Sequence, residues 1–254
     1  MNDSALHQYS ALFYRYQREG SLRSARQTLP LLTRAIALKS VLDVGCGAGA
    51  WLAAYGELGI TDRYGVDGDY VDRSLLLIDA KEFQAQDITQ QFDLGRRFDI
   101  VQCLEVAEHV PATASQTLVD NIVRHGSRVL FSAGVPGQGG EDHINERPLE
   151  FWRDRFGERG YRLFDCVRPG IASNEAVEPW YRYNLLFFAH DSVLDSLPAA
   201  IRSSRVADGC AIADPSPLTY RLRKAVLRWL PVPAVSALAK WKHRRAVRAL
   251  AQKA

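Results

Sequence analysis

The sequence predicts an α/β fold, a doubly wound and mostly parallel sheet with helices on both faces, and three observations predict it. Residues 41–51 read Val-Leu-Asp-Val-Gly-Cys-Gly-Ala-Gly-Ala-Trp: a short run of β-formers, glycines at alternate positions, then a helical pattern from Ala50. Residues 64–68, Tyr-Gly-Val-Asp-Gly, form a second short strand ending in an acid, at the spacing of one βαβ unit. Residues 98–105 are nearly continuous in apolar side chains, as a strand covered on both faces should be.

Taken in order, residues 1–39 read as two helices separated near Gly20, with Leu12 and Tyr16, then Leu29, Leu32 and Ile36 at helical spacing. In the turn after the first strand, glycine allows positive φ and close approach of a ligand to the main chain. Free N–H groups at the following helix start favour an anionic or electron-rich group. Alone, this turn is equally an ordinary strand-to-helix connection. Residues 72–79 are too short and apolar for a crossover helix and read as a loop or short strand. A third strand runs to Asp87. The strand over 98–105 opens into Glu105-Val106-Ala107-Glu108-His109-Val110-Pro111, and a helix over 114–125 and a strand over 128–133 complete the next repeat. Ligands of such sheets lie outside the carboxyl ends of the strands at the switch point. A glycine-rich loop, 134–146, closes with Glu141, Asp142, His143, Asn145 and Glu146. A helix over 148–160 starts at Pro and stops at Gly. Strands over 161–167 and 183–190 follow, with Trp180, Tyr181, Arg182 and Tyr183 either bordering a pocket for a ring substrate or packing at a strand start.

The ordered set Asp43, Gly45, Gly47, Gly49, then Asp67 and Asp87, resembles the class I S-adenosylmethionine-dependent methyltransferases, whose glycine motif is Asp-x-Gly-x-Gly-x-Gly. A dinucleotide dehydrogenase would carry Gly-x-Gly-x-x-Gly, and position 50 is Ala50. The resemblance covers residues 35–190. It implies a Rossmann-like, seven-stranded sheet with the last strand antiparallel, and S-adenosyl-L-methionine as cofactor. It also implies that Gly45 and Gly47 lie against the methionine part, that Asp67 holds the ribose and that Asp87 with Ile88 faces the adenine, with Asp43, Gly49, Gly68 and Leu104 completing the cofactor-binding set. The resulting domains are a helical cover over 1–39, which lies over the cofactor or is a packing appendage, a methyltransferase domain over 40–190, a linker over 191–217 and a tail over 218–254.

Glu105, Glu108, His109 and His143 are hard oxygen and imidazole donors that could hold one divalent ion, Mg2+ or Mn2+. Their Glu-x-x-Glu-His stretch resembles ubiquinone-pathway O-methyltransferases and the methyltransferases that modify the terminal ribose of small RNAs, where the ion binds neighbouring acceptor oxygens. A metal-free reading, with His109 as base or orienter, and a purely structural one stay open. Methyl transfer from a sulfonium is an in-line displacement, so alignment and proton removal are what a protein must supply. His109, His143 and Glu108 are the candidate catalytic groups. The expected function is O-methylation of a sugar hydroxyl in a bacterial glycan or glycoconjugate. The alternatives are a small-molecule hydroxyl, an RNA ribose, or a noncatalytic cofactor-binding module, which would lack ordered polar residues after the fourth strand.

Composition suits one globular domain with appendages, at 47% hydrophobic and 24% charged residues. No apolar run approaches a membrane span, and residues 1–10 are polar, so a cytoplasmic protein is expected. Cys46, Cys103, Cys166 and Cys210 lack paired spacing, which argues against disulfides and a thiolate metal site. Charge is segregated: residues 218–254 hold ten Lys and Arg and no acid, while residues 1–217 balance at −7. The tail reads as two short amphipathic basic helices broken at Pro231-Val232-Pro233. It could attach peripherally to the inner face of an anionic membrane, pack on the domain, or bind RNA phosphates. Nucleic acid is the least favoured partner, and the sequence is silent on oligomeric state.

Overall fold

A computed structural model describes the backbone of residues 3–251 and the side chains of residues 18–231, 233–241 and 245. Helix α1 (Asp3–Thr33) is continuous, so the expected break at Gly20 does not occur. A Cβ at Gly20 would lie 2.8 Å from Glu178 Oε1. The glycine therefore permits a close crossing, at a helix cost of about 1 kcal/mol, and Arg23 pairs with the crossing Glu178 at 2.6 Å one turn on. The Leu12 and Tyr16 side chains lie outside the described residues, as do those of Lys242, Arg244, Val247, Arg248 and Leu250 in the tail.

Next in order come β1 (Ser40–Val44), α2 (Ala50–Glu57), β2 (Asp62–Asp67), β3 (Phe83–Ala85), β4 (Ile100–Leu104), α3 (Ser115–His125) and β5 (Arg128–Ser132). They are followed by α4 (Leu149–Gly157), β6 (Tyr161–Phe164), α5 (Arg168–Ile171), α6 (Pro179–Asn184), β7 (Leu186–His190), α7 (Ala199–Arg202), α8 (Leu218–Leu227) and α9 (Val232–Ala251). The seven strands stand in the order β3-β2-β1-β4-β5-β7-β6, parallel except for β7, which is antiparallel to both neighbours. The order reverses between β1 and β4, so the loops leaving these two strands open side by side.

Period-two alternation makes the sheet a core with two apolar faces. On β4, Ile100 and Leu104 join the cluster under α1 and α2, while Val101 and Cys103 join Leu118, Ile122, Trp152 and Phe156 on the other side. Each such buried side chain contributes roughly 1.5–3 kcal/mol. Residues 72–79 form no crossover helix. They make a single-turn 3-10 segment, Arg73–Leu75, and dock on the glycine turn through Leu77 N–H to Ala48 O at 2.8 Å.

Residues 179–184 are helix α6, so the strand expected from Tyr183 begins only at Leu186. Pro179 occupies the first turn of α6, where a missing N–H costs nothing. Tyr181 turns inward against Trp51, at 5.0 Å between rings, and Tyr183 packs on Tyr220, also at 5.0 Å. Residues 191–217, read from the sequence as a linker, lie against the sheet: Leu197 and Ile201 are buried in the core, and Val206 N–H donates to Leu163 O at 2.9 Å. The four cysteines are free, with Cys46 and Cys103 buried. Among the described residues, no helix is long and apolar enough to cross a membrane.

Candidate active site

The turn after β1 shows why glycines stand at three alternate positions. All three have positive φ: Gly45 at 84°, Gly47 at 52° and Gly49 at 77°. A Cβ at Gly45 would meet Val106 Cγ2 at 2.4 Å, and one at Gly49 would meet Ile78 Cγ1 at 2.9 Å. These two glycines serve packing. A Cβ at Gly47 would meet nothing within 4 Å, so the side-chain face of this glycine is open to a ligand. Asp67, at the end of β2, is buried and ties the turn down: its Oδ2 accepts Gly47 N–H at 2.7 Å, and its Oδ1 accepts Gly68 N–H at 2.7 Å and the Tyr70 hydroxyl at 2.5 Å. Asp43 is 3% exposed within β1, flanked in register by Gly65 and Gln102. Burial pushes its carboxyl up to about 7, and the charge of Asp67 adds to the rise.

Asp87 stands just past β3, exposed, with Oδ1 held by the Thr89 hydroxyl at 2.6 Å and backbone N–H at 2.9 Å; these bonds lower its pKa. Its neighbour Ile88 is buried in the core, and Leu104, also buried, ends β4.

Beyond β4 the chain turns sharply at Glu105, whose φ of 57° lies in the left-handed region and costs a non-glycine residue roughly 1 kcal/mol or more. Held there, Glu105 Oε2 accepts Gln138 Nε2 at 2.7 Å, and Gln138 Oε1 in turn accepts Asn184 Nδ2 of α6 at 2.6 Å. Glu108 is 1% exposed, and neither of its carboxylate oxygens reaches a hydrogen-bond partner of good geometry. Burial raises the pKa of both glutamates, and the charge of Glu105 drives Glu108 further up. Ligand atoms of Glu108, His109 and His143 lie within 4.8 Å of one another. Glu105 stands outside this group, engaged by Gln138. The His109 and His143 rings meet edge to face at 4.9 Å. Desolvation by the surrounding protein lowers the pKa of His109, and the neighbouring His143 adds to it, which favours the neutral, proton-accepting imidazole.

His143 reaches the group because its loop folds back and is pinned. Ile144 and Asn145 both donate backbone N–H to Glu108 O at 2.9 Å, and Asn145 Nδ2 bonds Ala107 O and Ser115 Oγ. Glu146 accepts Gly137 N–H and Gly139 N–H, each at 2.8 Å, and His143 Nδ1 at 2.9 Å. Burial would raise Glu146, but these three donors outweigh it and lower its pKa. With Nδ1 donating to Glu146, His143 keeps Nε2 as its lone-pair nitrogen. A Cβ at Gly140 would lie 2.0 Å from that atom, so glycine is what gives the ring room.

A family model described as a methyltransferase domain matches residues 14–158. The chain belongs to this family. It is a class I, S-adenosylmethionine-dependent methyltransferase. Among curated relatives, the ubiquinone biosynthesis O-methyltransferase of Stutzerimonas stutzeri is 32% identical over 139 residues, covering 49% of this chain and 60% of that protein. The protein of the same name from Coxiella burnetii is 35% identical over 108 residues, covering 37% and 43%. This methyltransferase thus spans about half the length of the curated relatives it matches. Its fold is shared with a sugar N-methyltransferase from Streptoalloteichus at TM-score 0.55 and 18% identity, over 71% of this chain and 92% of the other. It is shared as well with magnesium protoporphyrin IX methyltransferase from Synechocystis at TM-score 0.52 and 17% identity, over 75% and 96%.

In the methyltransferase a cleft of about 370 Å³ lies between the loop carrying His143 and Glu146 and the tail residues Leu227, Arg228 and Val235. Sequence reasoning missed the roles of Glu146, Gln138, Asn184 and Tyr70, because each acts through a contact that spacing does not encode. Only Glu146, three residues after His143 in a glycine-rich loop, left a signal that could have been followed.

Proposed function

We propose that this enzyme methylates a hydroxyl oxygen, with a divalent cation, Mg2+ or Mn2+, held at Glu108, His109 and His143. One observation carries the reading: the fully buried Glu108 carboxyl, with no hydrogen bond of good geometry, sits beside two imidazoles that can present lone pairs. A buried carboxylate left unpaired is costly; a proton, towards which the raised pKa of Glu108 tends, relieves it in the free protein, and a bound cation would relieve it in its place. One carboxylate and two imidazoles are donors that a divalent ion can use, Mn2+ more readily than the oxygen-preferring Mg2+. When bound, the ion would act as a Lewis acid and make the acceptor hydroxyl easier to deprotonate.

The protein's own groups account for the remaining requirements. S-adenosylmethionine supplies an electrophilic methyl group, and Gly47, with Asp67 bracing its turn, offers its open side-chain face for the cofactor's approach. In this reading Asp67 and Gly68 serve the ribose, Asp87 the adenine edge, and Asp43 supports the turn from below. A ring nitrogen that holds the ion has no lone pair left for a proton; without the ion, His143, with Nδ1–H fixed on Glu146, would take the hydroxyl proton at Nε2, and neutral His109 is the other acceptor. A hydroxyl with an adjacent oxygen suits this arrangement, and such pairs are characteristic of sugars. The acceptor we assign is therefore a sugar of a bacterial glycan or glycoconjugate. A second reading, a small-molecule hydroxyl, is favoured by the partial matches to ubiquinone biosynthesis O-methyltransferases.

The test is methyl transfer from labelled cofactor to panels of sugar and phenolic acceptors, before and after exhaustive chelation. Loss of turnover on chelation, restored by Mg2+ or Mn2+ with cofactor affinity unchanged, is the expected result. Activity that survives chelation but dies in His109→Ala or His143→Ala replaces the ion by a plain base. Tolerance of both substitutions removes the site assignment.

A further inference from the structure

Eleven large hydrophobic side chains are exposed among the described residues, and seven of them fall between residues 218 and 241. They are ordered. Helix α8 has two apolar faces, and only one is used by the fold. Leu227 is buried, Tyr220 stacks on Tyr183, and between them Lys224 pairs with Asp214 at 2.5 Å. On the opposite side Leu218, Leu222 and Val226, with Trp229 just past the helix end, recur at spacings of four, four and three, which places them in one narrow stripe. Their exposures are 66%, 58%, 65% and 89%. At 100° per residue, Arg221 and Arg228 fall on one flank of this stripe and Arg223 on the other, all three exposed. Leu238 and Trp241 add apolar surface on α9, where Arg245 stacks on Trp241 at 4.8 Å.

We propose that α8 and the first half of α9 form a docking surface for an anionic lipid bilayer. The stripe enters the head-group boundary and the flanking arginines meet lipid phosphates. Charge decides the occupant. Residues 218–254 carry ten Lys and Arg and no Asp or Glu, so a second copy meeting this face across a twofold would set like charges against each other. RNA would satisfy the arginines but leave Leu222, Val226 and Trp229 in water. A bilayer with acidic head groups satisfies both components. No helix of the described residues spans, so the contact is peripheral. The surface adjoins the cleft, since Leu227 and Arg228 line it opposite His143.

Co-sedimentation of the whole protein with phosphatidylglycerol-containing vesicles, against pure phosphatidylcholine, tests this. Binding is expected only to the anionic vesicles and weakens as salt rises. The double variant Leu222→Gln, Trp229→Gln should lose at least about tenfold in partition. Arg221→Gln and Arg223→Gln should each lose about fivefold. Unchanged melting temperatures and cofactor affinity in these variants show that the fold is intact. Equal partition of wild type and the double variant overturns the proposal. So does a wild-type dimer that the double variant converts to monomer in sedimentation, or tight binding of a single-stranded RNA oligomer without vesicle binding.

Discussion

Asp43 is an acid that the fold holds at a cost, and Asp43→Asn should reveal how large that cost is. Its carboxyl is lifted by burial from 3.8 to about 7. A carboxyl whose folded pKa is raised binds more protons folded than unfolded, so stability falls as pH rises from about 3.8 and levels off above about 7. That span of about three pH units, at about 1.4 kcal/mol each, bounds the effect near 4 kcal/mol. Local relaxation brings the expected difference to about 2–4 kcal/mol. The amide of the variant keeps the size of the carboxyl and cannot ionise. The stability of the variant minus that of wild type should therefore climb across this window and then plateau. At roughly 2–4 °C per kcal/mol for a chain of this size, the melting temperature of the variant minus that of wild type should rise by roughly 5–15 °C between pH 4 and pH 8. Thermal and urea melts at matched ionic strength measure it. Taking the difference cancels every other titrating group and leaves only a constant offset from exchanging acid for amide. Parallel curves over the whole window would refute the reasoning, because no ionisation of a buried Asp43 could then be changing with pH.

The glycine turn should separate into packing and ligand positions. Gly45→Ala, which drives a methyl onto Val106, should cost about 2 kcal/mol more stability than Gly47→Ala, while Gly47→Ala alone weakens cofactor binding by more than about tenfold, as melts and calorimetry will read. Glu146→Gln keeps the shape of the loop brace but removes its charge. The loss of about 1.5–3 kcal/mol of charge-assisted bonding should lower kcat roughly 10–100-fold, with cofactor Kd unmoved in a calorimetric titration.

The cofactor half of this enzyme was legible in the sequence because its signals are local: alternate glycines fix a turn, and one βαβ unit fixes the distance to Asp67. What the sequence hid was set by tertiary contact. Trp180, Tyr181 and Tyr183 have strand propensity, but Pro179 and the partners Trp51 and Tyr220 settle a helix. Gly20 resembles a helix stop, and only the crossing of Glu178 shows why it lies mid-helix. Leu197 and Ile201 are too sparse to announce a core contribution among Pro198 and small polar residues, yet both are buried. At the candidate site, Glu108, His109 and His143 were recognisable as donors. That Glu105 would turn to Gln138 instead depends on a left-handed backbone at Glu105, which spacing does not reveal.

The tail closes on the loop bearing His143 at backbone level. Gly137 lies against the Lys224 carbonyl so tightly that a Cβ there would come within 2.2 Å, and a Cβ on Gly139 would come within 2.9 Å of Val235. A ribosome delivers the loop long before it delivers Lys224 and Val235. The sheet and its cofactor turn can form while the segment bearing His143 still lacks its outer wall. In order of synthesis, the turn expected to meet the methyl donor thus precedes the wall that closes on the loop bearing His143.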